Sequence, residues 1–250
     1  MLRVEGITQV FGGVTALRDV SFSVAEGEIK GVIGPNGAGK TTLFNIITGI
    51  YRQTAGDVFL ENKIVTSFQP EKLALRGMVR TFQNVELFGA MTVMENVMVG
   101  LHTKSRCGIL SSCLKLPSHL REERHILEKA MTCLDFVALA EDASLVAGNL
   151  PFGKGRMLEI ARAMALEPRI ILLDEPAAGL NSRETAELGA LIRKIRGSGV
   201  TVVLVEHDME LVMDICDTIL VLNLGQRLAE GTPREIQENP AVIAAYLGEG

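Results

Sequence analysis

The hydrophobic positions of this chain follow two patterns that alternate along most of its length. Residues 2–7 and 20–24 alternate between apolar and polar, which predicts half-buried strands. Short apolar runs predict buried strands at residues 29–33, 170–173 and 200–205. Helical periodicity predicts helices at residues 40–48, 157–166, 182–196 and 209–215. Strands and helices that alternate in this way indicate an α/β fold built on a parallel-rich sheet.

Turn residues and helix caps set the ends of several elements. Glu61 and Asn62 separate two short apolar stretches, which predicts a β-hairpin. Together with the opening strands, this hairpin predicts an antiparallel β subdomain at the N-terminus. Thr232 and Glu235 form a capping box, with Pro at the first helical position, so a helix begins there. Asn239, followed by Pro, predicts the start of a last helix in the same way.

The middle of the chain interrupts the α/β pattern. Thr92 and Glu95 form another capping box, which predicts a helix start. A polar stretch follows, and helical periodicity returns over residues 121–136. We therefore expect a single domain spanning residues 1–250. Residues 1–83 and 151–250 form its core with the antiparallel β subdomain, and residues 84–150 form an inserted α-helical subdomain.

Composition and charge narrow the function classes. The chain has 250 residues and a formal net charge of −5, which gives it no general attraction to nucleic acid. No apolar run approaches the roughly 18 residues that cross a bilayer, and the N-terminus lacks the apolar core of a signal peptide. We therefore expect a cytosolic protein that can dock on a membrane protein.

The four cysteines form no C-x-x-C pair. One group of cysteines and histidines lies close together in the sequence, and its spacing matches no common zinc pattern. Reduced, dispersed thiols are therefore expected rather than a metal site. This group consists of His102, Cys107, Cys113 and His119.

A glycine-rich loop between a predicted strand and a predicted helix carries the clearest chemical signal. Residues 34–41 read Gly-Pro-Asn-Gly-Ala-Gly-Lys-Thr, which fits G-x-x-x-x-G-K-[ST] in full. In such a loop the backbone N–H groups wrap phosphates, Lys40 reaches the β- and γ-phosphates, and the Thr41 hydroxyl binds Mg²⁺. The predicted nucleotide-binding residues here are Gly34, Pro35, Asn36, Gly37, Ala38, Gly39, Lys40, Thr41 and Thr42.

Two acids follow the buried strand at residues 170–173. A strand of an open α/β sheet delivers the residues at its carboxyl end to the ligand site. Asp174 is then placed to hold Mg²⁺, directly or through water, and Glu175 to polarise the attacking water as a general base. Together with the glycine-rich loop, the two acids predict a P-loop NTPase without specifying which one.

Two further residues, taken in their order along the chain, indicate which kind of P-loop NTPase this is. Gln83 ends the tetrapeptide Arg-Thr-Phe-Gln, and His207 follows the strand near residue 205. With the two motifs above, these residues resemble the Q-loop and H-loop of ABC ATPases. The resemblance implies that Gln83 contacts Mg²⁺ and the attacking water, and that His207 contacts the γ-phosphate. It also implies that Phe11 stacks on adenine. The candidate catalytic residues are Lys40, Glu175 and His207.

The ABC signature is expected before the strand at residues 170–173 that carries the two acids. At that place residues 150–154 read Leu-Pro-Phe-Gly-Lys. The usual pattern is Leu-Ser-Gly-Gly-Gln, so the serine hydroxyl is missing. Gly153 still allows close backbone approach at a helix N-terminus, and Lys154 offers a positive charge. Residues 177–181 resemble the D-loop, with Asn181 in place of the usual Asp. The resemblance implies head-to-tail dimers with ATP at the interface, contacted by Pro151, Gly153, Lys154 and Asn181.

The chain resembles the LivG-type ATP-binding subunits of branched-chain amino-acid importers over essentially its whole length. The resemblance is carried by the altered signature and D-loop, by the Arg-Thr-Phe-Gln tetrapeptide, by residues 205–209 and by the tail at 239–249. The resemblance implies an ATPase, peripheral at the cytoplasmic face of the membrane, that uses ATP and Mg²⁺. It also implies three kinds of partner: a second ATP-binding subunit, identical or a sister protein; integral membrane permease subunits; and, indirectly, an extracytoplasmic solute-binding protein.

Three alternatives remain at this stage. Closely similar subunits serve importers of urea or short amides. A soluble ABC ATPase that remodels DNA or ribosomes is less favoured, because paired cassettes, a long coiled-coil insert and basic arms are not visible. A P-loop kinase is disfavoured by Glu175 and by the pair Gln83 and His207.

Overall fold

The computed structural model describes residues 1–81, 86–102 and 117–247, with the side chains of all of these except residues 102, 117–122 and 247. The chain divides into two units. Met1–Gln83 and Arg169–Gly250 form the first, and Asn84–Pro168 forms the second. The second unit therefore extends beyond residue 150, at which the sequence pattern placed the end of the helical subdomain.

Strands and helices alternate along the described residues. The described strands are β1 (Leu2–Phe11), β2 (Val14–Val24), β3 (Ile29–Ile33), β4 (Ala55–Leu60), β5 (Lys63–Ile64), β6 (Met78–Arg80), β7 (Ile170–Asp174), β8 (Thr201–Val205), β9 (Thr218–Asn223) and β10 (Gln226–Gly231). The described α-helices are α1 (Lys40–Ile47), α2 (Pro70–Ala74), α3 (Val93–His102), α4 (Pro117–Phe136), α5 (Phe152–Ala165), α6 (Ser182–Gly197), α7 (Met209–Ile215), α8 (Pro233–Gln237) and α9 (Pro240–Leu247).

Four strands of the first unit form an antiparallel sheet in the order β2-β1-β4-β5. Leu2 of β1 lies opposite Val24 of β2 and Leu60 of β4, and all three side chains are buried. The alternating pattern therefore sends one face of the sheet into the core. Glu61 and Asn62 have φ of 50° and 63°, as a two-residue hairpin turn requires. The predicted antiparallel β subdomain is confirmed.

The second sheet of this unit has the strand order β10-β9-β3-β8-β7-β6, and every neighbouring pair except β9 and β10 is parallel. Val205 of β8 lies opposite both Val32 of β3 and Asp174 of β7. Because these strands are parallel, the residues that follow β3, β7 and β8 reach one edge of the sheet together. The predicted parallel-rich α/β fold is confirmed.

Helix α1 is anchored between the strands that define the site. Leu43, Phe44 and Ile47 are almost completely buried in an apolar cluster with strand residues of both sheets. Burying such side chains stabilises the fold by roughly 1.5–3 kcal/mol each. The start of α1, at Lys40, is therefore fixed by the core rather than by its surface contacts.

The second unit contains α3, α4 and α5, which pack on one another. The capping box of α3 is present: the Thr92 N–H donates to Glu95 Oε2 at 2.7 Å, and the Glu95 N–H donates to Thr92 Oγ1 at 3.1 Å. The hydrogen bonds from Thr92, its backbone N–H first and its hydroxyl second, lower the pKa of the Glu95 carboxyl. This confirms the predicted helix start.

Helix α5 begins at Phe152, earlier than the helical periodicity predicted. The residues missed by the periodicity, 152–156, include Arg156, which pairs with Glu159 at 2.8 Å. The Arg156 side chain is 1% exposed, so a buried charged residue stands where the periodicity would need an apolar one.

A buried arginine joins three elements of the first unit. Arg80, the last residue of β6, places Nη2 2.6 Å from Asp174 Oδ2 at the end of β7. Its Nη1 donates to Asn45 Oδ1 at 2.6 Å and to Thr48 Oγ1 at 3.1 Å, at the far end of α1. The two ionised side chains are only 8% and 4% exposed. Arg80 therefore compensates the charge of Asp174 inside the protein.

We predict that Arg80→Met destabilises the chain by about 3 kcal/mol, because the Asp174 carboxylate stays buried without its cation. Urea unfolding followed by circular dichroism measures this change. The matched control is Arg193→Met, which removes an exposed pair with Asp214 at 2.8 Å and should cost less than about 1 kcal/mol. Equal losses in the two variants would contradict the prediction.

Candidate active site

The glycine-rich loop, residues 34–39, connects β3 to α1 and has a backbone that only glycine fits at two positions. Gly34 has a φ of 151°, and a Cβ on it would lie 2.1 Å from the Leu222 carbonyl oxygen. Gly39 has a φ of 100°, and its Cβ would lie 2.6 Å from Leu17 Cδ2. A side chain is therefore excluded at the first and at the last residue of the loop, as the motif predicted.

A turn from the far end of the chain supports this loop. The Gly225 N–H, between β9 and β10, donates to the Ala38 carbonyl at 3.1 Å, and the Gly225 carbonyl accepts from the Arg18 N–H at 2.8 Å. Gly225 has a φ of 75°, and a Cβ there would lie 2.5 Å from the Ala16 carbonyl oxygen. Sequence reasoning missed this contact. The only signal for it in the sequence was a glycine in the turn between two strands.

Lys40 is buried inside the loop that precedes it. Its Nζ donates to the Gly34 carbonyl at 2.5 Å and to the Pro35 carbonyl at 3.0 Å. The first turn of α1 carries no acidic residue, so nothing there offsets the positive end of the helix dipole. The ammonium group and the helix N-terminus together make this a site for an anion.

A cleft of about 210 Å³ opens in front of the loop. It brings together most of the predicted phosphate-binding residues with the predicted general base, and it adds Ala16, which sequence reasoning did not single out. Its lining consists of Ala16, Asn36, Gly37, Ala38, Gly39, Lys40, Thr41, Thr42 and Glu175.

The two acids after β7 differ in their surroundings. Asp174 is buried against Arg80, whereas the Glu175 side chain is 21% exposed and lines the cleft. Glu175 has a φ of 46°, a conformation that non-glycine residues seldom adopt. Its N–H donates to the Val205 carbonyl at 2.9 Å, and its carbonyl accepts from the Ala178 N–H at 3.1 Å. Such strain persists where surrounding bonds fix the backbone, and it concentrates at functional sites.

His207 follows β8, and its side chain is 64% exposed. Its Nδ1 lies 3.9 Å from Glu175 Oε2, close but beyond hydrogen-bonding distance. Asp208 caps α7 through a 3.0 Å bond from the Leu211 N–H, which fixes the chain just after the histidine. The structure thus places His207 beside Glu175. The His207 Nδ1 also lies 3.7 Å from Oε2 of Glu206, the preceding residue, which the sequence did not single out.

The remaining predicted residues of the first unit lie at separate positions. Phe11 ends β1, is 43% exposed, and meets Tyr51 edge-to-face with ring centres 5.6 Å apart. Its exposed surface leaves room on which a planar ring can stack.

Asn181 caps α6: its Oδ1 accepts from the Arg183 and Glu184 N–H groups, both at 3.1 Å. The amide therefore has a structural role beside the predicted one, and Asn fills this capping role as well as Asp would.

The altered signature lies in the second unit, at the N-terminus of α5. Pro151 is the N-cap residue, and Gly153 is buried in the first turn. Lys154 pairs with Asp142 at 2.6 Å. The cation that the sequence offered in place of the missing serine is therefore held by a carboxylate of its own unit.

Some predicted residues lie outside the described part of the chain. They are Gln83, Cys107 and Cys113, together with the side chains of His102 and His119. Among the described residues, no group of three or more histidines, cysteines and acids is arranged to hold a metal ion. The hydroxyl of Thr41 and the carboxylate of Asp174 nevertheless supply the hard oxygen ligands that Mg²⁺ prefers, so the donor set fits that ion.

None of the helices in the described ranges combines the length and the apolar character that crossing a bilayer demands.

Comparison with known proteins gives a consistent family. The model of the ABC transporter family matches residues 17–178, and that of the branched-chain amino acid ATP-binding cassette transporter matches residues 226–250. The chain is 49% identical to the high-affinity branched-chain amino acid transport ATP-binding protein BraF of Pseudomonas aeruginosa, over all of this chain and 98% of that protein. It is 47% identical to the corresponding protein LivG of Escherichia coli, with the same coverage.

Solved structures agree. The crystal structure of the ADP conformation of an ATP-binding cassette of an ABC transporter superposes with a TM-score of 0.87 at 34% identity, covering 99% of this chain and 98% of that one. A dimeric post-hydrolysis cassette bound to ADP and Pi superposes with a TM-score of 0.78 at 28% identity, covering 94% of this chain and 99% of that one. With a family model over more than half of its length and full-length relatives nearly half identical, this chain is an ATP-binding protein of the ABC transporter family, in which ATPase activity is general.

Proposed function

We propose that this chain binds ATP with Mg²⁺, hydrolyses it, and so drives the import of branched-chain amino acids through a separate membrane permease. One observation carries the chemistry. The loop after β3, Glu175 after β7 and His207 after β8 gather at one edge of a parallel sheet. The substrate class rests on the full-length relatives and on the family model at the C-terminus.

Nucleotide binding is the task of the loop and of α1. Lys40 is already aimed into the loop by the Gly34 and Pro35 carbonyls, so little side-chain entropy is lost when it meets a phosphate. The backbone N–H groups around Gly37 and Gly39 donate to phosphate oxygens. Phe11 offers the face of its ring to adenine.

Hydrolysis is the task of the two residues that face the cleft. Glu175 takes a proton from the attacking water on a carboxylate oxygen, and His207 donates a hydrogen bond to the terminal phosphate. Thr41, Asp174 and Gln83 are the proposed Mg²⁺ ligands. When bound, the ion neutralises charge that develops on the phosphoryl oxygens. Asp174 would hold the ion directly or through water while its carboxylate remains paired with Arg80.

The partner contribution comes from the signature segment. We infer a head-to-tail pair of ATP-binding subunits in which Pro151, Gly153 and Lys154 of one chain, with Asn181, approach the nucleotide of the other. A dimeric cassette bound to ADP and Pi is among the similar structures, which supports a dimer that holds nucleotide. For Lys154, the approach requires that a phosphate compete with Asp142 for the ammonium group.

The transport partner follows from the relatives, which are named as amino acid transport ATP-binding proteins. The chain then works peripherally at the cytoplasmic face, docked on permease subunits that receive solute from an extracytoplasmic binding protein. The proposed docking segment is residues 84–101. Within it, Phe88 and Met91 are exposed apolar residues, and Leu87 is half-buried. Apolar side chains of this kind fill pockets at protein interfaces.

We predict that Lys40 and Glu175 separate binding from hydrolysis. Lys40→Ala should weaken ATP affinity about 10- to 100-fold, because a phosphate loses a charged donor. Glu175→Gln should keep ATP affinity and lower kcat by about 10²- to 10⁴-fold. Isothermal titration and phosphate release measure the two effects, and gel filtration should show Glu175→Gln accumulating as an ATP-bound dimer. Wild-type turnover by Glu175→Gln would exclude the residue as the base.

We predict that Gly153→Asp acts across the dimer. The variant keeps its own loop and should bind ATP, while the added carboxylate repels phosphate at the partner's site. Titrating the variant into wild type should therefore lower ATPase activity more than dilution alone. A loss strictly proportional to the wild-type fraction would mean that each chain works by itself.

We predict that Phe88→Asp uncouples transport from hydrolysis. Phe88 is 46% exposed, so a charge there should leave the isolated ATPase intact and reduce leucine uptake in cells that carry only this variant. The matched control is Leu127→Asp, at a residue of α4 that is 44% exposed and lies outside the docking segment. If deletion of the gene spares leucine, isoleucine and valine uptake but abolishes that of urea or an amide, the importer stands and the substrate class does not.

A further inference from the structure

Glu206 carries a completely buried carboxylate that has no role in the binding and hydrolysis proposed above. It follows β8, precedes His207, and is 0% exposed. Among the described residues, no lysine or arginine forms an ion pair with it. Burying an ionised carboxylate is costly unless hydrogen bonds compensate for the lost water. Its partners therefore reveal what it does.

Those partners are backbone N–H groups of two different loops. Oε1 accepts from the Ala177 N–H at 2.7 Å. Oε2 accepts from the His207 N–H at 2.9 Å and from the Asp208 N–H at 3.2 Å. Bonds to His207 and Asp208 alone would make Glu206 a local turn residue. The bond to Ala177 reaches a segment 29 positions away, so the carboxylate bridges the loop after β7 and the loop after β8.

The bridge reaches the residues that carry the chemistry. Ala177 lies two positions after Glu175, in the turn where the Ala178 N–H donates to the Glu175 carbonyl. The Glu175 N–H is itself held by the Val205 carbonyl, next to Glu206. The strained backbone of Glu175 is therefore fixed on one side by β8 and on the other by the Glu206 carboxylate.

We propose that Glu206 is a positioning residue that couples the loop of Glu175 to the loop of His207. It rests on the roles proposed for those two residues. A displacement of the His207 backbone, when its imidazole engages the terminal phosphate, is transmitted through the carboxylate to Ala177. From there it reaches the segment at residues 177–181 that leads to Asn181. The reverse movement aligns Glu175 and His207 together.

The bridge needs a group that accepts at both ends. A carboxylate has two acceptor oxygens, whereas an amide presents one oxygen and one NH₂ donor. In Glu206→Gln one loop keeps its bond and the other meets a donor opposite its own N–H. This change breaks the connection between the loops while it preserves size and shape.

The test is steady-state kinetics of purified Glu206→Gln. We expect kcat to fall about 100-fold from misplacement of the base, while the KM for Mg·ATP and the ADP affinity stay within about 3-fold, since the phosphate loop is untouched. The matched control is Glu184→Gln. It weakens a capping bond to the Asn181 N–H at 3.0 Å in the same segment without linking two loops, and should keep kcat near wild type.

A double variant separates coupling from simple weakening. If Glu206 aligns Glu175 only in response to the engagement of His207, the base is already out of alignment in His207→Ala, so adding Glu206→Gln should lower kcat little further. Losses that multiply would overturn the proposal. So would parallel losses in kcat and ADP affinity, or a wild-type kcat in Glu206→Gln. An active Glu175→Gln would instead refute the assignment of the base.

Hydrogen exchange provides a readout on the wild-type protein, which also serves if Glu206→Gln folds poorly. A non-hydrolysable ATP analogue should slow exchange in peptides covering residues 176–181 and 206–210 together, whereas ADP, which lacks the terminal phosphate, should leave both unchanged. Protection of the second peptide alone would overturn the coupling.

Discussion

The parallel pairing of β3, β8 and β7 is the constraint on which the site depends. In this register Val205 lies beside Val32 on one side and Asp174 on the other, so three chain segments leave the sheet side by side. Each segment has a different chemistry: a glycine-rich loop, an acidic pair, and Glu206 with His207. The positions of these groups are set by backbone hydrogen bonds between buried strands, which hold a site more precisely than side chains on loops do.

The phosphate loop shows how much of a short motif is supported from elsewhere. Its own residues supply the glycines and the lysine, yet its geometry depends on close backbone approach by Leu222 and on the bond from Gly225. Lys40 is held by carbonyls of the same loop, and α1 is fixed by apolar burial. Substitutions in the β9–β10 turn would therefore alter the nucleotide site without touching a motif residue.

Sequence reasoning recovered the parts of this molecule that rest on local patterns. The strand at Ile29–Ile33 and the helix at Met209–Ile215 were predicted at their observed bounds, because apolar periodicity and an N-cap define them. β6 was missed because three residues carry too little pattern. The early start of α5 was not marked by apolar periodicity, because the buried residue at 156 is an arginine. Among the proposed site residues, Glu175 was predicted from the acidic pair after a buried strand, and His207 from the resemblance to the H-loop of ABC ATPases.

The residues that sequence reasoning missed act through contacts over long sequence separations, which no local pattern encodes. Arg80 on β6 contacts Asp174 on the neighbouring strand β7, 94 positions along the chain. Gly225 contacts Ala38 from near the other end of the chain. Glu206 was passed over for a related reason. An acid at a strand end is ordinary, and only its burial and its bond to Ala177 distinguish it.

Three carboxylates stand at this edge of the sheet, and the protein gives each a different kind of partner. Asp174 faces a guanidinium, which compensates its charge inside the protein. Glu206 faces only backbone N–H groups among its described hydrogen bonds, so its charge is tied to the conformation of two loops. Glu175 lines the cleft on a strained backbone, and its side chain is partly exposed there. Chemically similar groups within a few residues of the strand ends are therefore proposed to serve charge balance, coupling and proton transfer. An amide at each of the three positions is expected to produce a different defect.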